Sequence, residues 1–282
     1  MKMKTYKPYR ALIDTDILVY KVGFACEKDA WVLNGTEYPE YEIALMHVNL
    51  EDDIIVLPEK IKVADGTIED AYKLLDRKIT DVLLGSGSKD YVCYLTDSDK
   101  TKNFRYQLSP ETYKANRANG KRPLYYDQLR DYVMGSHNGV MVSGIEADDA
   151  LGIYWEENDI MCYIDKDLKQ YPGIHYNILT EEISESDPLG WVKISAKRNK
   201  VEGRGFKFFC SQLITGDTAD NIKGVKGQGP VKAVALLEDL QSKLGCFKAV
   251  RQLYEDKELP KEQFETNKKL LWMLRYLPKG AH

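Results

Sequence analysis

Three short apolar runs in this chain each close on an aspartate: "RALID" at Asp14, "DYVCYLTD" at Asp97 and "IMCYID" at Asp165. Runs of this length, set between stretches of helical periodicity, read as buried strands of a sheet. Between the first two, "TIEDAYKLLDRKITDVLL" (67–84) places Ile68, Ala71, Leu74, Leu75, Ile79 and Val82 at helical spacing, and Thr67 with Asp70 fits a capping box. Asn34-Gly35 between apolar residues signals a hairpin. "LYYDQLRDYVM" reads as a helix and "GVMVSG" as a short strand. From about residue 206 the pattern turns helical. The class that follows is α/β, a central sheet flanked by helices with a mainly helical C-terminal part. Ligands of open α/β sheets bind beyond the carboxyl ends of the strands, so the three aspartates are expected to meet at one edge.

"GIEADDALG" (144–152) adds Glu146, Asp148 and Asp149 within one turn of a helix start. One acid there caps free N–H groups and meets the helix dipole. Three repel one another unless solvent, an arginine cluster or a metal ion sits among them. "DKD" contributes Asp165 and Asp167, and "TGDTADN" contributes Asp217 and Asp220. The five cysteines are scattered without a CxxC, and the four histidines show no ligand spacing, which argues against zinc. Carboxylates alone are the ligand set of Mg2+ or Mn2+. Nine acids exceed what one such ion takes. Two ions suit them better, the clamp used for in-line attack on a phosphodiester.

A formal net charge of −4 argues at first sight against a nucleic-acid partner, but distribution matters more than the sum. Bases bunch in "YKANRANGKRP" and "KISAKRNKVEGRGFK". Lys114 and Arg117, three apart, suit a phosphate. Phe104, Tyr106 and Tyr113 lie among these bases, either to stack on nucleobases or as the core side of a solvated basic helix. In "NIKGVKGQGPVKAVALL", Gly224, Gly227 and Gly229 permit tight turns before Pro230 at a helix start. Such a turn presents N–H groups to an anion, with Lys226 and Lys232 beside it; a plain helix–helix turn is the alternative. No apolar run is long enough to span a membrane and the basic N-terminus lacks the core of a signal peptide, so a cytoplasmic protein with reduced thiols is expected.

Taken together, "LIDTDILVY", "YLTD" with "FRYQLSPETYKANR", "GIEADDALG", "IDKDLKQYPG" and "GDTADNIKGVKGQGPVKA" resemble, in content and order, the motifs of the 5′ nuclease superfamily. That superfamily holds flap endonucleases and bacteriophage 5′→3′ exonucleases; the chain looks most like the short-arch phage exonucleases. The resemblance spans residues 10 to 240. It implies a PIN-like catalytic domain over 1–178 with a helical arch at about 100–140. It also implies a C-terminal DNA-binding part over 179–282 with a helix–three-turn–helix at about 206–240. By motif, Asp97, Asp148 and Asp149 would serve one Mg2+ or Mn2+, with Asp14 and Glu146 close by, and Asp165, Asp167, Asp217 and Asp220 the second. Lys114 and Arg117 would contact the scissile phosphate. Phe104, Arg105, Tyr113, Lys121 and Arg122 would meet DNA near the arch. Lys223, Gly224, Lys226, Gly227, Gly229 and Lys232 would grip the duplex, with a K+ in the turn. The implied activity is hydrolysis of DNA, or of RNA:DNA hybrid, from 5′ ends and at 5′ flaps, giving 5′-phosphate and 3′-hydroxyl products.

The chain departs from the family pattern in Asp14-Thr15 followed by Asp16, where Asp-Gly is usual, and in an extra Asp99. Residues 24 to 90 match none of the family motifs, and the span from Arg117 to Glu146 is short for an arch, so a 5′ strand need not be threaded. Two rival readings exist. "LIDTDIL" and "GDTADN" also resemble haloacid-dehalogenase-like phosphatases, with Asp14 as a covalent nucleophile, but that leaves "EADD", "YKANR" and the glycine turn unexplained. A catalytically inactive DNA-structure-binding protein on the same fold would be expected to have lost some of the nine acids.

Overall fold

A computed structural model of the chain describes residues 10–49, 56–109, 111–117, 120–197 and 199–281. The first strand, β1 (Arg10–Asp14), runs into helix α1 (Asp16–Ala25). A small antiparallel sheet follows, of β2 (Glu27–Leu33), β3 (Thr36–Tyr38) and β4 (Glu59–Ala64), with the short α2 (Tyr41–Leu45) beside it. Its hairpin turns at Asn34 and Gly35, whose φ values of 49° and 80° are those of a type I′ turn. Helix α3 (Ile68–Ser86) starts at the Thr67–Asp70 capping box and ends on Gly87 in the left-handed conformation.

Next come β5 (Asp90–Thr96), the short α4 (Phe104–Leu108), α5 (Tyr126–Ser136), β6 (Gly139–Val142), α6 (Ala147–Ile153) and β7 (Ile160–Tyr163). A 3-10 turn over Lys166–Gln170 leads to β8 (Gly173–Asn177) and β9 (Glu182–Ser186), then to the ribbon β10 (Trp191–Ile194) and β11 (Val201–Arg204). The remainder is α7 (Gly205–Thr215), the two-residue strands β12 (Gly216–Asp217) and β13 (Ile222–Lys223), α8 (Pro230–Leu237), α9 (Lys243–Asp256) and α10 (Lys261–Leu271).

The central sheet has the order β6-β5-β1-β7-β8-β9. All its neighbours are parallel except β8 with β9. Alternation along β1 splits the core: Ala11 and Ile13 pack with α1, α3 and α5, while Leu12 packs on the other face with α6 and Met273. Both faces are therefore covered, as a parallel sheet requires. A separate core of α7, α8, α9 and α10 includes Phe209, Leu213, Leu237, Val250 and Phe264. Within the span expected to form an arch, α5 packs on α1 and α3, as the crossover helix into β6. Among the described residues no helix is long and apolar enough to cross a membrane.

Candidate active site

Strand order decides where the acids go. Because β5, β1 and β7 are neighbours, Asp97, Asp14 and Asp165 stand on three adjacent strand ends at the carboxyl edge of the sheet. The chain runs from β1 to β5 and β6 on one side and to β7 and β8 on the other, so this edge is the topological switch point. The N-terminus of α6 is seated beside it by the Ala147 N–H, which donates to Thr96 Oγ1 at 2.9 Å.

Asp14 is buried, and its carboxyl is pushed well above its usual range by burial and by the facing Asp16 and Asp165. Asp148 is raised in the same way, by burial and by Asp14, Asp165 and Glu146, and its Oδ1 is buried with no hydrogen-bond partner. A crowded carboxylate with an orphaned oxygen is a group that a cation would satisfy. Lysines occupy the neighbouring acids. Lys102 donates to Asp97 at 2.8 Å, as does Ser143 Oγ, and the lysine contact brings Asp97 down to about 2. Lys166 pairs with Asp217 and reaches Asp167 at 3.1 Å. Burial and Asp165 raise Asp167 to about 6 despite that lysine. With these side chains so placed, no three His, Cys, Asp or Glu groups among the described residues are arranged to hold a metal ion.

Lys114 sits in the left-handed region at φ 54°, uncommon for a non-glycine residue and held here by its N–H bond to the Asp220 carbonyl at 3.1 Å. Its Nζ pairs with Glu146, which also accepts from Tyr113. Burial pushes the Glu146 carboxyl up, but Lys114 and Arg105 outweigh it and hold it at about 2. Asp97, Lys114 and Glu146 line one cleft of about 240 Å³ with Lys100, Asn103 and Tyr106.

No family model matches the chain. A 5′-3′ exonuclease of Streptomyces coelicolor is 28% identical over 216 residues, covering 69% of this chain and 70% of that protein. Flap endonuclease Xni of Shewanella baltica is 25% identical over 193 residues, 62% of this chain and 70% of the relative. The same fold appears in crystal structures of the bacteriophage T5 flap endonuclease with DNA and metal ions (TM-score 0.55, 15% identity, 93% of this chain and 88% of that one). It appears too in the T5 5′-exonuclease with bound zinc (TM-score 0.55, 14% identity, 93% and 89%). The chain is similar in sequence to these nucleases and shares the fold of the T5 enzyme.

Several expected site residues sit away from this cleft. Asp149 is fully buried, and both its oxygens accept from Arg105, one at 2.8 Å. The two form a buried ion pair where a metal ligand was expected at Asp149 and a DNA contact at Arg105. The guanidinium, 2% exposed, also donates to the carbonyls of Leu270 and Trp272. Tyr113 packs in the C-terminal core and spends its hydroxyl on Glu146, while also lining the cleft beside Lys114. Phe104 turns away from the cleft to line an apolar cavity of about 330 Å³ with Phe206, Phe209, Phe247 and Trp272. The core alternative describes Phe104. The side chain of Arg117 lies outside the described residues; its backbone closes the 3-10 turn Ala115–Arg117.

Lys121 and Arg122 are exposed, with Arg122 over the Tyr126 ring and reaching the Ser98 carbonyl at 3.5 Å. The extra Asp16 is taken by Arg130 at 2.8 Å and by the Thr96 N–H at 3.0 Å. In the glycine turn, Lys223, Lys226 and Lys232 are exposed, and Lys232 donates to the Gly227 carbonyl. Gly227 has φ 77°, while a Cβ on Gly224 would lie 2.3 Å from the Gly216 nitrogen. Gly229 caps α8, and Pro230 is its first residue. Sequence reasoning missed Lys102, Lys166, Gln170 and Gln212 as partners of the acids. Only the spacing of Lys166 between two aspartates hinted at one of them.

Proposed function

We propose that this protein is a metal-dependent 5′→3′ exonuclease and 5′ flap endonuclease acting on DNA. The observation that carries the reading is Asp148, its buried Oδ1 unpartnered among Asp14, Asp165 and Glu146, the last of which lines a cleft with Lys114 and Asp97. The names of the relatives, and the DNA and metal ions crystallised with the T5 enzyme, support the same assignment.

Asp14, Asp97 and Asp148 would hold one Mg2+ or Mn2+, and Asp165, Asp167, Asp217 and Asp220 a second. When bound, such ions supply a water of lowered pKa and stabilise the leaving 3′ oxygen, so that products carry 5′-phosphate and 3′-hydroxyl ends. Lys102 and Lys166 neutralise the carboxylates until then and have to leave them. Lys114, with Arg117 on the same turn, binds the scissile phosphate; Glu146 keeps the Lys114 ammonium charged and aimed into the cleft. The turn 223–230 grips duplex phosphates, with a K+ among its carbonyls. Lys121 and Arg122 guide the 5′ strand.

Digestion of 5′- and 3′-labelled duplex and flap DNA, with Mg2+ and with EDTA, tests this. Release from the 5′ end that stops in EDTA is expected, with Asp148→Ala slowing turnover about a hundredfold or more, the scale of losing an electrostatic stabiliser. Full activity in EDTA, or nucleotides released from 3′ ends, refutes the assignment.

A further inference from the structure

Two runs of buried hydrogen bonds connect the C-terminal segment 270–275 to the acids of the site. In the first, Arg105 donates to the carbonyls of Leu270 and Trp272 and holds Asp149 and Glu146. In the second, Gln170 and Gln212, 1% and 4% exposed, link the same segment to Asp167.

The second run has a fixed direction. Gln170 Nε2 donates to the Leu271 carbonyl at 2.8 Å, and its Oε1 accepts from the Met273 N–H at 3.2 Å. A carbonyl only accepts and a backbone N–H only donates, so the Gln170 amide has one orientation. The remaining Nε2 hydrogen meets Gln212 Oε1 at 2.8 Å. Gln212 must therefore turn its NH2 group outward, and that group meets Asp167 Oδ1 at 2.6 Å. Lys166 reaches the same Oδ1 at 3.1 Å. Both contacts fall on one oxygen of the carboxylate.

We infer that Gln212 is a positioning residue for Asp167, aimed by Gln170, and that segment 270–275 is the brace on which both halves of the acid cluster hang. The inference rests on the metal-dependent reading above. The relay pins Oδ1 and presents Oδ2 to a divalent cation. Partners of this kind that orient a ligand commonly change metal affinity 10–100-fold when lost. If the relay were only part of the packing, its loss would lower the melting temperature and leave metal affinity alone.

The test is Mn2+ titration of the full-length, DNA-free protein, followed by calorimetry and by the EPR signal of free Mn2+, on wild type, Gln212→Met and Gln170→Leu. Thermal unfolding in EDTA establishes that each variant is folded. Binding about tenfold weaker or worse at one class of Mn2+ site is expected in both variants, with the site lost in Asp148→Ala unaffected. Should Gln212→Met not fold, Gln170→Leu gives the same test from one step further back. Wild-type Mn2+ affinity in a folded variant overturns the inference. Absence of Mn2+ binding by wild type overturns the metal-dependent reading itself, and the inference with it.

Discussion

Replacing Arg105 with methionine is expected to cost the fold more than it costs any DNA contact. The side chain is buried, and its guanidinium serves Asp149, Glu146 and two main-chain carbonyls. Methionine matches the stem and none of the donors. Asp149 would keep only the Leu274 N–H at 3.0 Å and a long contact from the Glu146 N–H at 3.4 Å. Breaking a buried ion pair from one side costs about 3–5 kcal/mol. The orphaned carbonyls of Leu270 and Trp272 push toward the upper figure without simply adding, because they belong to one network. At roughly 2–4 °C per kcal/mol for a chain of this size, the melting temperature should fall by about 10 °C. The double variant Arg105→Met/Asp149→Leu should recover much of the loss, because apolar groups can replace a buried pair at little net cost. Thermal unfolding by circular dichroism, with duplex binding by fluorescence anisotropy in EDTA, measures both quantities. A variant melting within about 2 °C of wild type, with weakened and salt-sensitive DNA binding, would place Arg105 at the DNA and refute the structural role.

Lys114→Ala should slow single-turnover cleavage about 10²–10³-fold while duplex affinity changes little, since its charge acts on the reacting phosphate; an equal loss in both would make it a binding residue only. Gly227→Val should cost about 1–2 kcal/mol for its left-handed backbone and weaken duplex binding, and wild-type affinity with an unchanged salt slope would leave the turn merely structural. Gly224→Ala should destabilise more than Gly227→Ala, because its methyl meets backbone at 2.3 Å while Gly227 has open space; urea unfolding in the reverse order refutes the close approach. His175 is held at about 3 by burial and by Arg204, with Tyr163 and the Tyr171 carbonyl at its two nitrogens. The unfolded chain therefore binds a proton that the folded one does not between about pH 3 and pH 6.5, so stability from this group is complete above 6.5 and falls as pH drops. Between pH 7 and pH 5 its share of the loss is about 2 kcal/mol, and urea unfolding of wild type against His175→Gln isolates it; identical pH dependence would refute a neutral buried imidazole.

Local features were legible without the tertiary structure because their causes lie within a few residues. The Thr67–Asp70 box closes over three residues, the Asn34-Gly35 turn needs only two residues that accept positive φ, and strand alternation separates Ala11 and Ile13 from Leu12. These fixed the class, the carboxyl-edge aspartates and the glycine turn. What the sequence could not decide is which charge each acid meets. In "EADD", Asp148 and Asp149 are adjacent and chemically identical, yet one has an orphaned oxygen at the site and the other is sealed against Arg105. That choice depends on where the α6 helix points each carboxylate, and on carbonyls 165 residues beyond Arg105 that hold its guanidinium in place. The aromatics divided for the same reason: Phe104 and Tyr113 both lie among bases in sequence, but Phe104 faces an apolar cavity lined from α7, α9 and α10, while Tyr113 packs in the C-terminal core and also lines the cleft. Sequence spacing placed the acids at strand ends; the order of strands β5, β1 and β7 brought those ends together, because only neighbours in the sheet put carboxylates close enough to repel and so to call for a cation.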